Sequence, residues 1–341
     1  MITIENLEKE LKNTDLKSIY LLYGEELFLL DNTVKKIRSK FGELVNGINY
    51  ITLDDNKHIN LISEIETPAF GYEKKLIIVK NSNILSSDAK RKSIEISSFR
   101  EKINKYIEEN IKKINGNCIV VFIENTADTR LKLYKTLDEL GVVCKFEFQK
   151  QPQIKARIKA TCSGYKVNID DNTLNYFIES CGTNMQELIN EIRKLIEYVG
   201  ENGKIQKEDI NNLSIKKFES IIFDLTDSLG KKDIKTSINV LNNLLYSKEP
   251  IQKILITLYN HFKKVYLTKK AEEYNKDIVQ VLDLKPNQIF LVNKYKSQAR
   301  MFEEKSLRKI LKELTDLDYN YKSGLIDLNI GLESIMCTYC S

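Results

Sequence analysis

The sequence predicts an α/β domain followed by an all-helical region. In roughly the first 150 residues, short apolar runs alternate with segments whose hydrophobic residues recur every three or four positions. The apolar runs carry hydrophobic residues on both faces, which predicts a parallel sheet covered by helices on both sides. Strand-like runs stop before Leu213, and helical periodicity continues to the end. We therefore expect three domains, over residues 1–150, 151–212 and 213–341.

Composition indicates a soluble globular protein. Charged residues make up 30% of the chain and hydrophobic residues 42%, and the 53 basic residues exceed the 48 acidic ones by only five. This excess permits weak contact with nucleic acid but falls short of the basic bias of a DNA-coating protein. No apolar run is as long as a membrane helix, and Glu5 and Glu8 disfavour a signal peptide, so we expect a cytoplasmic protein without a membrane partner.

The cysteines give no metal site. Of the six, only Cys337 and Cys340 form a CxxC pair, and the chain has two histidines. A structural zinc ion needs four ligands, which this pair does not supply. We expect reduced thiols and no bound metal.

The predicted strands of the first domain are separated by helical segments. The first helix carries Ile4, Leu7 and Leu11, and the second runs from Glu25 to Phe41. A third, over Asn60–Glu66, precedes the third strand, and a fourth carries Phe99, Ile103 and Ile107. A fifth ends at Gly141. The strands are predicted at 18–23, 50–53, 75–79, 118–123 and 142–148.

The turn after the first strand is where a phosphate-binding loop would lie. Such a loop needs several glycines, a Lys for the phosphates and a Ser or Thr for Mg²⁺. This turn has Gly24 followed by Glu25 and Glu26, whose carboxylates suit a helix N-terminus but would repel a triphosphate. The sequence predicts no nucleotide cofactor here.

Acidic residues at the strand ends leave an alternative open. A nucleotide hydrolase would carry an Asp-Glu pair to hold Mg²⁺. The third strand ends in Lys80-Asn81, and the fourth in Glu124 with Asp128 nearby. A divergent nucleotide-hydrolysing enzyme near Gly24 and Glu124 is therefore the alternative to a binding protein, although strand-end acids commonly cap a helix.

The segment Glu66-Thr67-Pro68-Ala69-Phe70-Gly71 separates the third helix from the third strand. Pro68 and Gly71 interrupt regular structure, so Phe70 is predicted on a tight turn. An aromatic residue there is either buried under the loop or offered to a partner. Taken alone, burial is favoured.

Residues 153–210 read as short helices that would form a lid after a boundary near Pro152. Asp170 or Asp171 is predicted to cap a helix that ends at Gly182. Asn184, with Glu187 three residues on, resembles a capping box before a helix that ends at Gly200.

The third region carries several helical stripes and no sign of chemistry. They are Ile221-Leu225-Leu229, Ile238-Leu241-Leu245, Ile251-Leu255-Leu258-Phe262-Val265 and Leu307-Leu311-Leu314-Leu317. The pairs Lys263-Lys264 and Lys269-Lys270 favour a solvated face, with a helical DNA-binding module as a further alternative. An all-helical domain of this kind commonly packs against other subunits.

Four stretches resemble the delta subunit family of bacterial DNA polymerase III, and their order extends the resemblance over nearly the whole chain. The stretches are Tyr20-Leu21-Leu22-Tyr23-Gly24-Glu25-Glu26, Thr67-Pro68-Ala69-Phe70-Gly71, Ile222-Phe223-Asp224-Leu225-Thr226-Asp227 and Asp318-Tyr319-Asn320-Tyr321-Lys322-Ser323-Gly324. The resemblance implies an AAA+-like α/β domain without a working phosphate loop, a helical lid and a helical collar within a five-subunit ring. Where active relatives carry a phosphate-sensing Arg in the lid, this chain offers Gln186.

The resemblance also implies a function. The family inserts a two-residue hydrophobic motif into the beta sliding clamp and opens the clamp for loading onto primed DNA, without hydrolysing ATP itself. The motif carries over to Ala69 and Phe70, with Pro68, Gly71 and Tyr72 as neighbours; Ala69 departs from the larger Leu or Phe that is common there. The implied partners are the clamp, the tau/gamma ATPase subunits, the delta prime subunit and primed DNA.

Overall fold

The computed structural model describes residues 1–54, 59–86, 93–246 and 250–340. The chain divides into two compact units, Met1–Phe148 and Gln149–Ser341. The three-domain division, with its further boundary between residues 212 and 213, stays a prediction.

The first unit alternates helices and strands, as the periodicity predicts. Its elements are α1 (Ile4–Asn13), β1 (Ile19–Gly24), α2 (Leu27–Phe41), β2 (Tyr50–Asp54), α3 (Leu61–Glu66), β3 (Lys75–Lys80), α4 (Ser93–Asn117), β4 (Cys118–Glu124), α5 (Lys132–Leu140) and β5 (Val142–Phe146).

The strands form one parallel sheet in the order β2-β3-β4-β1-β5. Successive side chains of a strand point to opposite faces, and both faces here are apolar. Leu21, Ile77 and Val120 lie in one core, whereas their neighbours Leu22, Ile78 and Val121 lie in the other. The helices cover both cores, and the predicted α/β fold class is confirmed.

Parallel strands sort the connecting turns to two edges of the sheet. Gly24, Lys80 and Glu124 end their strands and therefore lie at the carboxyl edge. The segment 67–74, which contains Phe70, precedes β3 and enters at the amino edge. The phosphate-loop position and the Phe70 turn are thus at opposite edges.

The second unit is mostly helical. Its elements are α6 (Gln151–Gly164), β6 (Asn168–Ile169), α7 (Asp171–Cys181), α8 (Met185–Val199), β7 (Lys204–Ile205), α9 (Lys207–Leu213), α10 (Phe218–Gly230), α11 (Ile234–Tyr246), α12 (Ile251–Glu273), α13 (Ile278–Val281), a 3₁₀ turn (Pro286–Gln288), α14 (Leu291–Met301), α15 (Glu304–Lys322) and α16 (Leu328–Cys340).

The predicted helix caps of this unit are present. The side chain of Asp170 accepts from the Thr173 N–H (2.9 Å), and that of Asn184 from the Glu187 N–H (3.1 Å). Pro152 lies in the first turn of α6, where its missing N–H costs nothing. Periodicity gave no sign of β6 and β7, which pair in parallel, because a two-residue strand has no period to detect.

A buried polar group lies in the core of the C-terminal helices. His261 Nε2 donates to Gln298 Oε1 (2.8 Å), and Gln298 Nε2 in turn donates to the Phe223 carbonyl (3.2 Å). Burial lowers the pKa of His261 to about 4, so the ring is neutral near pH 7. Together these bonds join α10, α12 and α14 in one arrangement.

Four cysteines belong to the core. Cys118, Cys144, Cys162 and Cys181 are free and buried, whereas Cys337 is exposed. Burial raises the pKa of the Cys118 and Cys162 thiols to about 11. Among the residues that the structure describes, no helix combines the length and the apolar character needed to cross a membrane.

Candidate functional site

The segment between α3 and β3 forms the tight turn that the sequence predicts. The Tyr72 N–H donates to the Ala69 carbonyl (3.0 Å), which closes a four-residue β-turn. Gly71, at the third position, has a φ of 82°, the conformation that a type II turn requires there. Phe70 occupies the second position and therefore lies at the tip.

Phe70 is 85% exposed, the highest value among the large hydrophobic side chains described. Pro68 and Gly71 are also exposed, whereas Ala69 and Tyr72 are half-buried. Of the two readings that the sequence left open, burial under the loop is therefore wrong. A phenyl ring held in water is an unfavourable arrangement for the isolated chain, and such an arrangement is typical of a contact surface.

Hydrogen bonds fix the helix from which this turn leaves. The Thr67 N–H and hydroxyl both bond the Ser63 carbonyl, at 3.0 and 2.7 Å. Lys75, only 3% exposed, reaches from the start of β3 and donates to the Glu64 carbonyl (3.0 Å). Sequence reasoning read Lys75 simply as the first strand residue; the signal it passed over was a lysine that opens a fully apolar strand.

The turn after β1 is packed shut. Gly24 has a φ of 134°, and a Cβ built on it would lie 2.2 Å from the Phe146 carbonyl oxygen. The Glu26 N–H donates to the same carbonyl (3.0 Å), so an amide that a phosphate loop would offer to its ligand is used within the chain. This contact agrees with the prediction that the turn lacks a phosphate loop.

The acids of the alternative enzymatic site already hold the neighbouring loop. Glu124, 3% exposed, accepts from the N–H groups of Ser82 (3.1 Å) and Asn83 (3.2 Å) and from the Ser82 hydroxyl. Burial raises the pKa of Glu124 despite these bonds. Asp128 forms a two-pronged ion pair with Arg130, at 2.9 and 2.7 Å. Both carboxylates therefore have protein partners.

The remaining candidates lie in the helical unit. Gln186 is exposed in the first turn of α8 and donates to Asn190 Oδ1 (3.1 Å). Of the basic pairs on α12, Lys269 donates to the Ala299 carbonyl (3.0 Å), and Lys270 forms ion pairs with two glutamates of the same unit. These two lysines therefore take part in packing as well as contributing positive charge.

Fold and site together define a class: a two-unit protein that joins a parallel α/β domain to a helical unit and displays an aromatic turn. Comparison with known proteins narrows this class. The model of the DNA polymerase III delta subunit matches residues 20–147, and that of its C-terminal domain matches residues 219–339. The chain belongs to the family of DNA polymerase III delta subunits.

Individual relatives agree with this assignment. The chain is 26% identical to the DNA polymerase III subunit delta of Bacillus subtilis over 336 residues, covering 95% of this chain and 93% of the relative. A probable subunit delta of Aquifex aeolicus is 22% identical, with coverages of 88% and 85%. The solved structure of the B. subtilis DNA clamp loader delta protein superimposes with a TM-score of 0.72 over 99% of both chains at 24% identity, and so has the same fold.

Proposed function

We propose that this chain is a clamp-loader subunit that grips the beta sliding clamp through the Phe70 turn and opens the ring for loading onto primed DNA. The observation that carries the proposal is the exposure of Phe70 at the tip of a closed turn. The turn is already ordered, so binding orders little additional chain and keeps most of the free energy of burial. Burying such an aromatic in an apolar pocket is worth about 1.5 to 3 kcal/mol.

The proposed mechanism is mechanical rather than catalytic. Binding at the Phe70 turn stabilises a clamp conformation in which one subunit interface is open, so the chain shifts a conformational equilibrium of the clamp. ATP bound by the tau/gamma subunits controls access to this surface, with the delta prime subunit completing the complex. The closed Gly24 turn and the engaged Glu124 carboxylate support a chain that does not hydrolyse ATP itself.

The first test is titration calorimetry of the purified chain with the beta sliding clamp, without ATP. Phe70→Ala should weaken binding by about 2 kcal/mol or more while leaving the unfolding midpoint unchanged. Leu27→Ala is the matched control, because Leu27 is 57% exposed in the same unit but lies at the other edge of the sheet. Equal binding by wild type and Phe70→Ala would place the contact elsewhere, and no binding by either would contradict the proposal.

Ring opening needs its own measurement. Two fluorophores across one subunit interface of the clamp report its separation. Excess wild-type chain should reduce their mutual quenching, and Phe70→Ala should do so only at higher concentration. Binding without any change in the signal would limit the function to clamp attachment.

Two further titrations test the alternatives. The isolated chain should give no binding heat with ATP and Mg²⁺; a saturable signal would favour a divergent nucleotide-hydrolysing enzyme. A helical DNA-binding module would instead bind DNA without partners, with an affinity that falls steeply as salt is raised. We expect no such binding at physiological salt.

A further inference from the structure

The amino group of Lys75 is buried at the base of the Phe70 turn. The side chain leaves an otherwise apolar strand, Leu76 to Val79, and its Nζ lies 3.0 Å from the Glu64 carbonyl and 3.4 Å from Glu64 Oε2. Removing an ammonium group from water is costly unless it is paired and hydrogen-bonded. A purely structural role in the sheet would be served better by an apolar residue, as at the next four positions.

The bonded carbonyl belongs to the last turn of α3. The last four carbonyls of a helix have no partner within it, and a cation near them is favoured by the helix dipole. α3 has only six residues and cannot be stable by itself. Leu61 and Ile65 bury its inner side, but the end from which the turn leaves needs a separate attachment.

The bond therefore closes the base of the loop. Residues 67–74 leave α3 just after Glu64 and return to β3 at Lys75, so one contact ties the two ends together. A short loop with fixed ends samples fewer conformations than one that is held through its backbone alone. The Tyr72 to Ala69 hydrogen bond at the tip then forms within a restricted segment.

We propose that Lys75 is a positioning residue: its bond to the Glu64 carbonyl pre-orders the turn that presents Phe70. The proposal rests on the clamp-binding function proposed above. It deepens that function by assigning the affinity for the clamp partly to a residue that does not touch the clamp.

Lys75→Met is the informative variant. Methionine fills most of the space of the lysine stem and removes the donor. Hydrogen exchange of the free, full-length chain should show the Tyr72 amide exchanging about tenfold faster, because opening of the turn becomes easier. The unfolding midpoint should stay within a few degrees of wild type. Affinity for the sliding clamp should fall about three- to tenfold, the loss expected when an interface loop must be ordered on binding.

Lys80→Met is the matched control, since Lys80 ends the same strand at the opposite edge of the sheet. It should change neither the exchange of Tyr72 nor the affinity. An unchanged exchange rate in Lys75→Met would overturn the proposal whatever the clamp result. Failure of Lys75→Met to fold would also overturn it, because the lysine would then be a requirement of the sheet. If Lys75→Met speeds exchange but Phe70→Ala binds the clamp like wild type, the positioning role stands and the proposed function fails.

Discussion

Two glycine turns of the α/β unit have similar backbones and opposite surroundings. Gly24 and Gly71 both have positive φ, at 134° and 82°. A Cβ at Gly24 would collide with the Phe146 carbonyl, whereas a Cβ at Gly71 would meet nothing within 4 Å. The first turn is closed by the chain itself, and the second holds an aromatic ring in solvent. The difference shows that the chain presents its binding surface at the amino edge of the sheet and fills the carboxyl edge.

The largest expected effect would break the closed turn. Gly24→Ala combines an unfavourable φ with a backbone collision, so it should lower the free energy of unfolding by about 3 kcal/mol or more. Chemical denaturation followed by circular dichroism measures the loss. Gly116→Ala is the control, because a Cβ there meets nothing within 4 Å, and it should not destabilise the chain. A tolerated Gly24→Ala would mean that the turn can open.

The exposed turn should accept added volume that the closed turn rejects. Ala69→Leu enlarges the apolar contact beside Phe70 and should tighten clamp binding by about 1 kcal/mol, less than the full transfer value because Ala69 is half-buried. Calorimetry with the clamp measures the gain. Ala69→Ser, which adds a hydroxyl instead of apolar surface, should give none. Weaker binding by Ala69→Leu would show that the pocket does not extend to this position.

A smaller effect separates backbone strain from collision. Gly71→Ala adds strain at positive φ without any clash, so it should weaken clamp binding by about 1 kcal/mol through a less populated turn. Gly71→Asn should lose less, because asparagine tolerates this conformation better. Surface plasmon resonance with immobilised clamp resolves such differences. Equal losses for both variants would point to direct contact of residue 71 with the clamp.

The smallest effect is a dependence on pH confined to the closed side. Burial raises the pKa of Glu124 above its ordinary value of 4.5, so the folded chain holds this proton more tightly than the unfolded chain. Its contribution to stability is complete below pH 4.5 and is lost as the pH rises through the folded-state pKa.

The difference in unfolding free energy, wild type minus Glu124→Gln, should therefore decrease from pH 4.5 upward and then level off. Denaturant titrations at a series of pH values measure it. The exposed Glu139→Gln is the control and should give a flat difference. A flat difference for Glu124→Gln as well would show that the carboxylate ionises normally.

The sequence predicted the order of elements, the tight turn at Phe70 and the missing phosphate loop, because each leaves a local mark. Apolar runs mark buried strands, a proline and a glycine mark a turn, and a lone glycine followed by two acids excludes a triphosphate cradle. Contacts between residues distant in the chain left no such mark. The grip of Glu124 on Ser82 and the closure of Gly24 by Phe146 depend on strand order, which periodicity does not give.

The position of β3 has a mechanical consequence. The strand begins at Lys75, beside the clamp-binding turn, and spans about 20 Å to the far edge of the sheet. It is hydrogen-bonded along its length to β2 on one side and β4 on the other. A pull on the turn along the strand loads these bonds in shear, so that they share the force and do not break one after another. The sheet thus serves as a stiff handle, and a tool that pries a closed ring apart must deform less than the ring.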